Sequence, residues 1–286
     1  MSLYVTLPSN TSSSHYPKNT LNDFRIKLHS PLHLEGPYEV SLEEIQYAKN
    51  WYNVGETMCN VTLTILYSSI ELTIPAGYYA TGKALVKQLD ASIFKGINQL
   101  YKNFPDVRTY VDNLAVPHEE HGLCKVYYET VNRRTTFVLK PNVKIELNVD
   151  LASMLGFESN IIISSKARLP YNPSESDVER CNKKENHEGS YAIDLEGGLH
   201  AMYIYTGIVE PQVVGEVLVP LLRVVPIEGQ HGERVTKTWL NSQYIPVRKN
   251  HFQDIHIIIR DGMGKPIAFE SGRVILTLHF RRRTEF

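Results

Sequence analysis

The sequence predicts an all-β sandwich with inserted helices. Three observations carry that expectation. Apolar and polar residues alternate with period two along most of the chain, turn-forming residues separate the alternating runs, and only two segments show helical spacing. The helical segments fall between runs of strands rather than alternating with them, which disfavours a βαβ arrangement.

The elements follow in order. Residues 1–20 combine an extended start, Leu3 to Pro8, with a polar run, and read as an extended arm. Phe24, Ile26 and Leu28 alternate with polar residues as in a half-buried strand, and Glu35-Gly36-Pro37 turns the chain into the next strand. Trp51 and Tyr52 end that segment and are assigned to core packing ahead of an interface. Val61, Leu63, Ile65 and Tyr67 form one alternating run, and Ile70, Leu72 and Ile74 form the next. From Gly82 to about Ile97, Leu85, Leu89 and Ile93 share a helical face with Phe94 beside them, and Thr81 is the expected N-cap. These residues belong to an expected helix-containing insertion over 75–125, whose end, from Pro105 to Gly122, reads as loop. Asp150 to Gly156 reads as a short helix with Asp150 as N-cap. Tyr171 to Gly189 reads as a long exposed loop. Val217 to Val225 and Ile255 to Ile259 are more continuously apolar than the alternating runs, as in strands covered on both faces. Asp261-Gly262-Met263-Gly264 reads as a hairpin turn, and Val274, Leu276, Leu278 and Phe280 mark a final strand. No change in composition marks a linker, so residues 1–286 are expected to form one domain.

Composition narrows the function classes. The 286 residues carry a formal net charge of -1 and are 42% hydrophobic, which suits a globular chain and not a dedicated nucleic-acid binder. Cys59, Cys124 and Cys181 are odd in number and widely spaced, so no disulfide framework is expected. The first residues lack a basic n-region and a long apolar stretch, so no signal peptide is read there. No apolar run approaches the roughly 20 residues of a membrane helix, so membrane insertion is not expected. The sequons at Asn10 and Asn60 are read as chance matches.

Each residue group with chemical potential also has a plainer reading. His118, His121 and Cys124 lie within seven residues, but Pro117 and Gly122 mark a loop, and a solvated acidic loop is favoured over a zinc site. Gly262-Met-Gly-Lys265 lacks the phosphate-loop spacing and reads as a turn. No Gly-x-Ser-x-Gly elbow occurs, and His256 and His279 read as outward-facing or satisfied strand histidines ahead of catalysts. No catalytic residue, metal site or cofactor is expected. Arg281, Arg282 and Arg283 follow the last strand. A solvated run is the plainer reading, and contact with nucleic-acid phosphate or an acidic surface is the sharper one.

Several blocks together carry a family resemblance. Tyr4-Val-Thr-Leu-Pro-Ser-Asn10, Tyr16-Pro-Lys-Asn-Thr-Leu21 and Tyr38-Glu-Val-Ser-Leu-Glu-Glu-Ile-Gln-Tyr47 lead to Trp51. Thr135-Thr-Phe-Val-Leu139 precedes Leu151-Ala-Ser-Met-Leu-Gly-Phe157. Tyr203-Ile-Tyr-Thr-Gly-Ile-Val-Glu-Pro211 runs through Val214 to Arg223 and on to Gly272-Arg-Val-Ile-Leu-Thr-Leu-His-Phe280. The set resembles the minor capsid (penton) proteins of Polinton, or Maverick, elements and adintovirus-like viruses. The resemblance implies a single jelly-roll β-sandwich with helical insertions. It also implies a homopentamer closing the fivefold vertices of an icosahedral capsid beside a double jelly-roll major capsid protein. Virion localisation follows, with synthesis in the host cytoplasm, assembly in the nucleus, and contacts to a host receptor and weakly to packaged DNA as further partners. The arm would then reach a neighbouring subunit.

Two other classes stay open at this stage. One is a β-sandwich binding module that recognises a glycan or cell-surface receptor through loops such as Tyr171–Gly189. The other is a jelly-roll metal enzyme, disfavoured because no His-x-His pair falls on a strand.

Overall fold

The computed structural model describes residues 2–114, 122–164, 176, 179 and 183–283. Two units emerge: Met1–Trp51 with Leu199–Phe286, and Tyr52–Gly198. The expected single domain with an insertion over 75–125 is therefore corrected. The inserted unit spans more than residues 75–125, and the two ends of the chain belong to one unit.

The end-built unit begins with β1 (Ser2–Pro8), β2 (Asp23–His33) and β3 (Tyr38–Ala48). The chain then makes the second unit, with β4 (Asn60–Ile65), β5 (Ser68–Thr73), α1 (Gly82–Asn103), α2 (Pro105–Asn113), β6 (Cys124–Tyr128), β7 (Thr135–Leu139), β8 (Val143–Leu147), α3 (Val149–Met154), β9 (Ile161–Ile163) and β10 (Glu185–Glu188). It returns through β11 (Ala201–Thr206), the short hairpin β12 (Gln212–Val214) and β13 (Val217–Val219), β14 (Leu221–Pro226), β15 (Arg234–Thr238), β16 (Ile245–Pro246), β17 (His251–Arg260) and β18 (Ile275–Arg282).

The topology of the end-built unit is a jelly roll. One sheet runs β1-β18-β3-β15, with β16 also on β3, and the other runs β14-β11-β17-β2. Leaving aside the short hairpin and β16, the eight main strands pair first with last (β1·β18), second with seventh (β2·β17), third with sixth (β3·β15) and fourth with fifth (β11·β14), all antiparallel. A long hairpin of four strand pairs, rolled up, gives this pattern. Period two supplies the core. Leu7, Val40, Leu42, Ile45, Leu276, Leu278 and Phe280 from one sheet meet Phe24, Met202, Ile204, Ile255, Ile257 and Ile259 from the other, all fully buried. Each such side chain contributes roughly 1.5–3 kcal/mol relative to exposure. Trp51 joins this core and packs edge-on against Phe269 at 5.6 Å, as the core assignment expected, while Tyr52 is exposed.

The segment read as an arm is corrected. Ser2–Pro8 forms a seven-residue ladder with β18, and Leu7 sits in the core. The polar run is tied back as well. Asn19 bonds both the carbonyl and the amide of Arg25, and Ser12 Oγ accepts from the Lys27 amide.

The inserted unit has two small sheets, β5-β4-β8-β9 and β10-β7-β6. Helix α1 starts where expected, with Thr81 Oγ1 accepting from the Ala84 amide, but runs to Asn103. It buries Leu85, Leu89 and Ile93 in the same core as Val61, Leu63 and Ile145. Three readings are corrected here. The loop expected from Pro105 begins as α2, because proline at the first helical turn lacks only an N–H that would be unpaired anyway. Asn148, not Asp150, caps α3. Within Tyr171–Gly189, residues 185–188 form β10 against β7; most of the rest lies outside the described residues. Gly156 ends α3 at φ +88°, and a Cβ there would meet the Tyr191 carbonyl oxygen at 2.1 Å.

Candidate functional site

The arginine run ends β18, and the strand's own geometry separates it. Successive strand residues face opposite ways. Arg281 lies over the Tyr244 ring, 3.4 Å from its centroid, and its Nε donates to Glu39 Oε1 at 2.6 Å. The Arg282 guanidinium lies by Gly36, and Arg283 bonds through its backbone amide to the Pro37 carbonyl. The three side chains are exposed, yet Arg281 already has an anion and a ring.

Arg281 belongs to a polar and aromatic cluster on the outer face of the β1-β18-β3-β15 sheet. His279, one outward position along β18, stacks on Tyr4 at 4.4 Å between ring centroids. Its Nδ1 pairs with the Tyr244 hydroxyl at 2.8 Å, and its Nε2 is buried without a partner. Ser41 donates to Glu43 from the neighbouring β3. Burial works against the charged form of Glu43, but hydroxyl bonds from Ser242 and Ser41 and the fields of His279 and Arg223 hold its pKa below the ordinary range. Glu43 is therefore ionised near neutral pH and cannot serve there as a general acid. Arg223 lies over the Trp239 ring at 4.2 Å. The cluster has the residue types of a recognition surface: aromatic faces, hydroxyls and fixed charges.

The other sequence candidates separate. His118 and His121 lie outside the described residues, and Cys124 is buried in β6. Among the described residues no group of three His, Cys, Asp or Glu side chains is placed to hold a metal. None of their helices is long and apolar enough to cross a membrane. Burial pushes the Cys59 thiol up, and the Cys124 thiol well up, so both are poor nucleophiles. The Gly262–Lys265 segment is a turn. Asp261 Oδ1 accepts from the Met263 and Lys265 amides, and Gly264 has φ +80°. His256 faces outward onto Asp23 at 2.6 Å.

The reading of Val217 to Val225 as covered on both faces is corrected. Val213, Val217 and Leu218 are 74%, 57% and 69% exposed on the β12–β13 hairpin. Val213 and Leu218 stand directly opposite each other, so the hairpin presents an apolar pair to solvent.

No family model matches this chain, and no curated protein matches it in sequence. Among solved structures, the crystal structure of selenomethionine-labelled mavirus penton protein is similar with a TM-score of 0.50. Its identity is 11%, over 98% of this chain and 99% of that one. A chain of the Sputnik virophage cryo-EM structure has a TM-score of 0.46 and 10% identity over 98% of both chains, a likeness that carries no argument. The mavirus likeness concerns the fold: both chains share an all-β architecture with helical insertions along nearly their whole length.

Proposed function

We propose that this chain is a non-enzymatic structural capsid protein, a penton that forms homopentamers at the fivefold vertices of an icosahedral shell. The observation that carries the reading is the rolled pairing of β1·β18, β2·β17, β3·β15 and β11·β14, in a chain whose fold resembles the mavirus penton protein from end to end. A jelly roll presents its loops and sheet edges around a closed core, which suits packing about a cyclic axis. The exposed β12–β13 hairpin supplies apolar surface for such a contact. In this reading a double jelly-roll major capsid protein surrounds the ring, and the protein is made in the cytoplasm, assembles in the nucleus and resides in the virion. Any contact with packaged DNA would fall to Arg282 and Arg283, because Arg281 is engaged by Glu39.

Native mass spectrometry and electron microscopy of the purified chain, alone and with a co-expressed major capsid protein, test the proposal. Five-membered rings are expected. A strict monomer that the major capsid protein does not recruit would overturn it.

A further inference from the structure

The same sheet face carries a second feature. It lies five residues further along β3 from Ser41, about 16 Å away at strand rise. There the outer surface sinks into a depression of about 310 Å³ lined by Asn10, Gln46, Ala48, Arg234, Thr236 and Arg273. Its shape follows from register. Arg234 on β15 stands opposite Ala48, and Thr236 stands opposite Gln46. On the other flank of β3, Gly272 at φ +95° lies so close that a Cβ there would sit 3.6 Å from the Ala48 methyl. That turn brings Arg273 down beside the floor. Two strand spacings, roughly 9–10 Å, separate the backbones carrying the two arginines, within reach of guanidiniums converging over one small residue.

The walls are fixed before any ligand arrives. Asn50 Nδ2 bonds the Ser271 carbonyl and hydroxyl at 2.8 and 3.0 Å. Ser9 and Val274 bond in both directions, at 2.8 and 3.0 Å, which sets Arg273 on one side and Asn10 on the other. Neither Arg234 nor Arg273 has a carboxylate partner among the described residues. The carboxylates adjacent to them in sequence or on β3 bond other groups: Glu44 accepts from Gln46 Nε2 at 2.8 Å, and Glu233 accepts from the Gln230 amide at 2.7 Å. Two arginines lining one concavity repel each other, and an anion between them removes that cost and gains charge-assisted bonds.

We propose that this depression binds an acidic sugar unit, with its carboxylate or sulfate between Arg234 and Arg273 and its hydroxyls on Asn10, Gln46 and Thr236. The volume lies at the small end of ligand sites, about one ring's worth. The neutral amides and hydroxyl match a polyol better than a bare ion. The inference stands apart from the capsid reading, since it needs neither pentamers nor a partner capsid protein.

Titration of the full chain by isothermal calorimetry and ligand-observed NMR tests it. The probes are 3′-sialyllactose, galactose 6-sulfate, neutral lactose and an acidic hexapeptide. Binding of one or both acidic sugars with a Kd on the order of 1 mM is expected, with lactose silent. A preference for the sialylated or the sulfated probe identifies the anion. Arg234→Ser and Arg273→Ser should each weaken binding about tenfold, and Lys at both positions should recover only part of it, because the bidentate fork is lost. Lys249→Ser, a like charge change elsewhere, should leave it unaltered. Equal binding of lactose, tighter binding of the hexapeptide, unchanged affinity in folded Arg variants, or no sugar binding at about 20 mM would each overturn the assignment.

Discussion

Leu7→Ala distinguishes a core strand from a detachable arm. Leu7 is 0% exposed and lies opposite Leu276, inside the jelly-roll core. Truncating a buried leucine to alanine costs about 2–5 kcal/mol, set by how far the cavity collapses. Deleting residues 2–8 goes further, and its terms can be weighed. Ladder hydrogen bonds contribute about 0.5–1.5 kcal/mol each, against roughly 1–2 kcal/mol of backbone entropy per ordered residue, so they nearly cancel. What remains is Leu7 plus the half-buried Leu3 and Val5, about 4–6 kcal/mol in all. That approaches the whole stability of a small domain, about 5–15 kcal/mol. Tryptophan fluorescence in urea is the assay, because Trp51 and Trp239 are the chain's two tryptophans and both belong to this unit. With a slope near 2 kcal/mol per molar urea, Leu7→Ala should lower the midpoint by about 1–2.5 M. Tyr4→Ala is the control: Tyr4 is 64% exposed, and its stacking on His279 is worth about 0.5–1.5 kcal/mol, so its shift should be the smaller. Midpoints of Leu7→Ala and the deletion equal to the parent's would refute the reasoning and restore the arm.

Glu43 has a folded pKa below its ordinary 4.5, so it contributes stability above that pH and loses it as pH falls through the folded value. Thermal melts of Glu43→Gln should therefore lie below the parent's near neutral pH and converge with them in acid; a constant gap would count against the cluster. Neither Cys59 nor Cys124 should react with a thiol reagent at about pH 8 before unfolding, measured in a Cys181→Ser background, because both thiols are buried and raised. Rapid labelling of the native protein would contradict that. Gly156→Ala should destabilise the inserted unit by at least about 2 kcal/mol, since it combines a positive φ with a backbone collision. Far-UV circular dichroism on heating would register it, and an unchanged melt would show that the turn relaxes freely.

The strands were legible because their period survives everything else. Val274, Leu276, Leu278 and Phe280 are all buried as the alternation required. Leu3, Val5 and Leu7 alternate in the same way, but the polar run that follows at once gives β1 the look of an extended arm. The unit boundaries left no trace in composition. Trp51-Tyr52 and Gly198-Leu199 are crossed without a proline- or serine-rich linker, and strands of the same kind continue on both sides. Helix α2 was hidden by Pro105, which looks like a breaker when its position in the turn is unknown. The segment from Val217 to Val225 shows the limit of hydrophobicity as a signal, since Val217 and Leu218 at its start are exposed. An exposed hairpin and a strand covered on both faces read alike until their neighbours are known.

The charged residues make the same point about sites. Three consecutive arginines are conspicuous in a sequence, but a strand end turns neighbours to opposite faces and spends Arg281 on Glu39 and Tyr244. Arg234 and Arg273 are inconspicuous, each a single charge in a mixed segment. They line one depression because β15 and the turn before β18 lie on either side of β3, and because Ala48 and Gly272 leave room between them. Charge density along the chain and charge density at a surface point are thus different quantities in a sheet. The first is read from adjacency, whereas the second depends on strand order. In a jelly roll, where the last strand lies between the first and the third, a convergent pair of charges has no local signature at all.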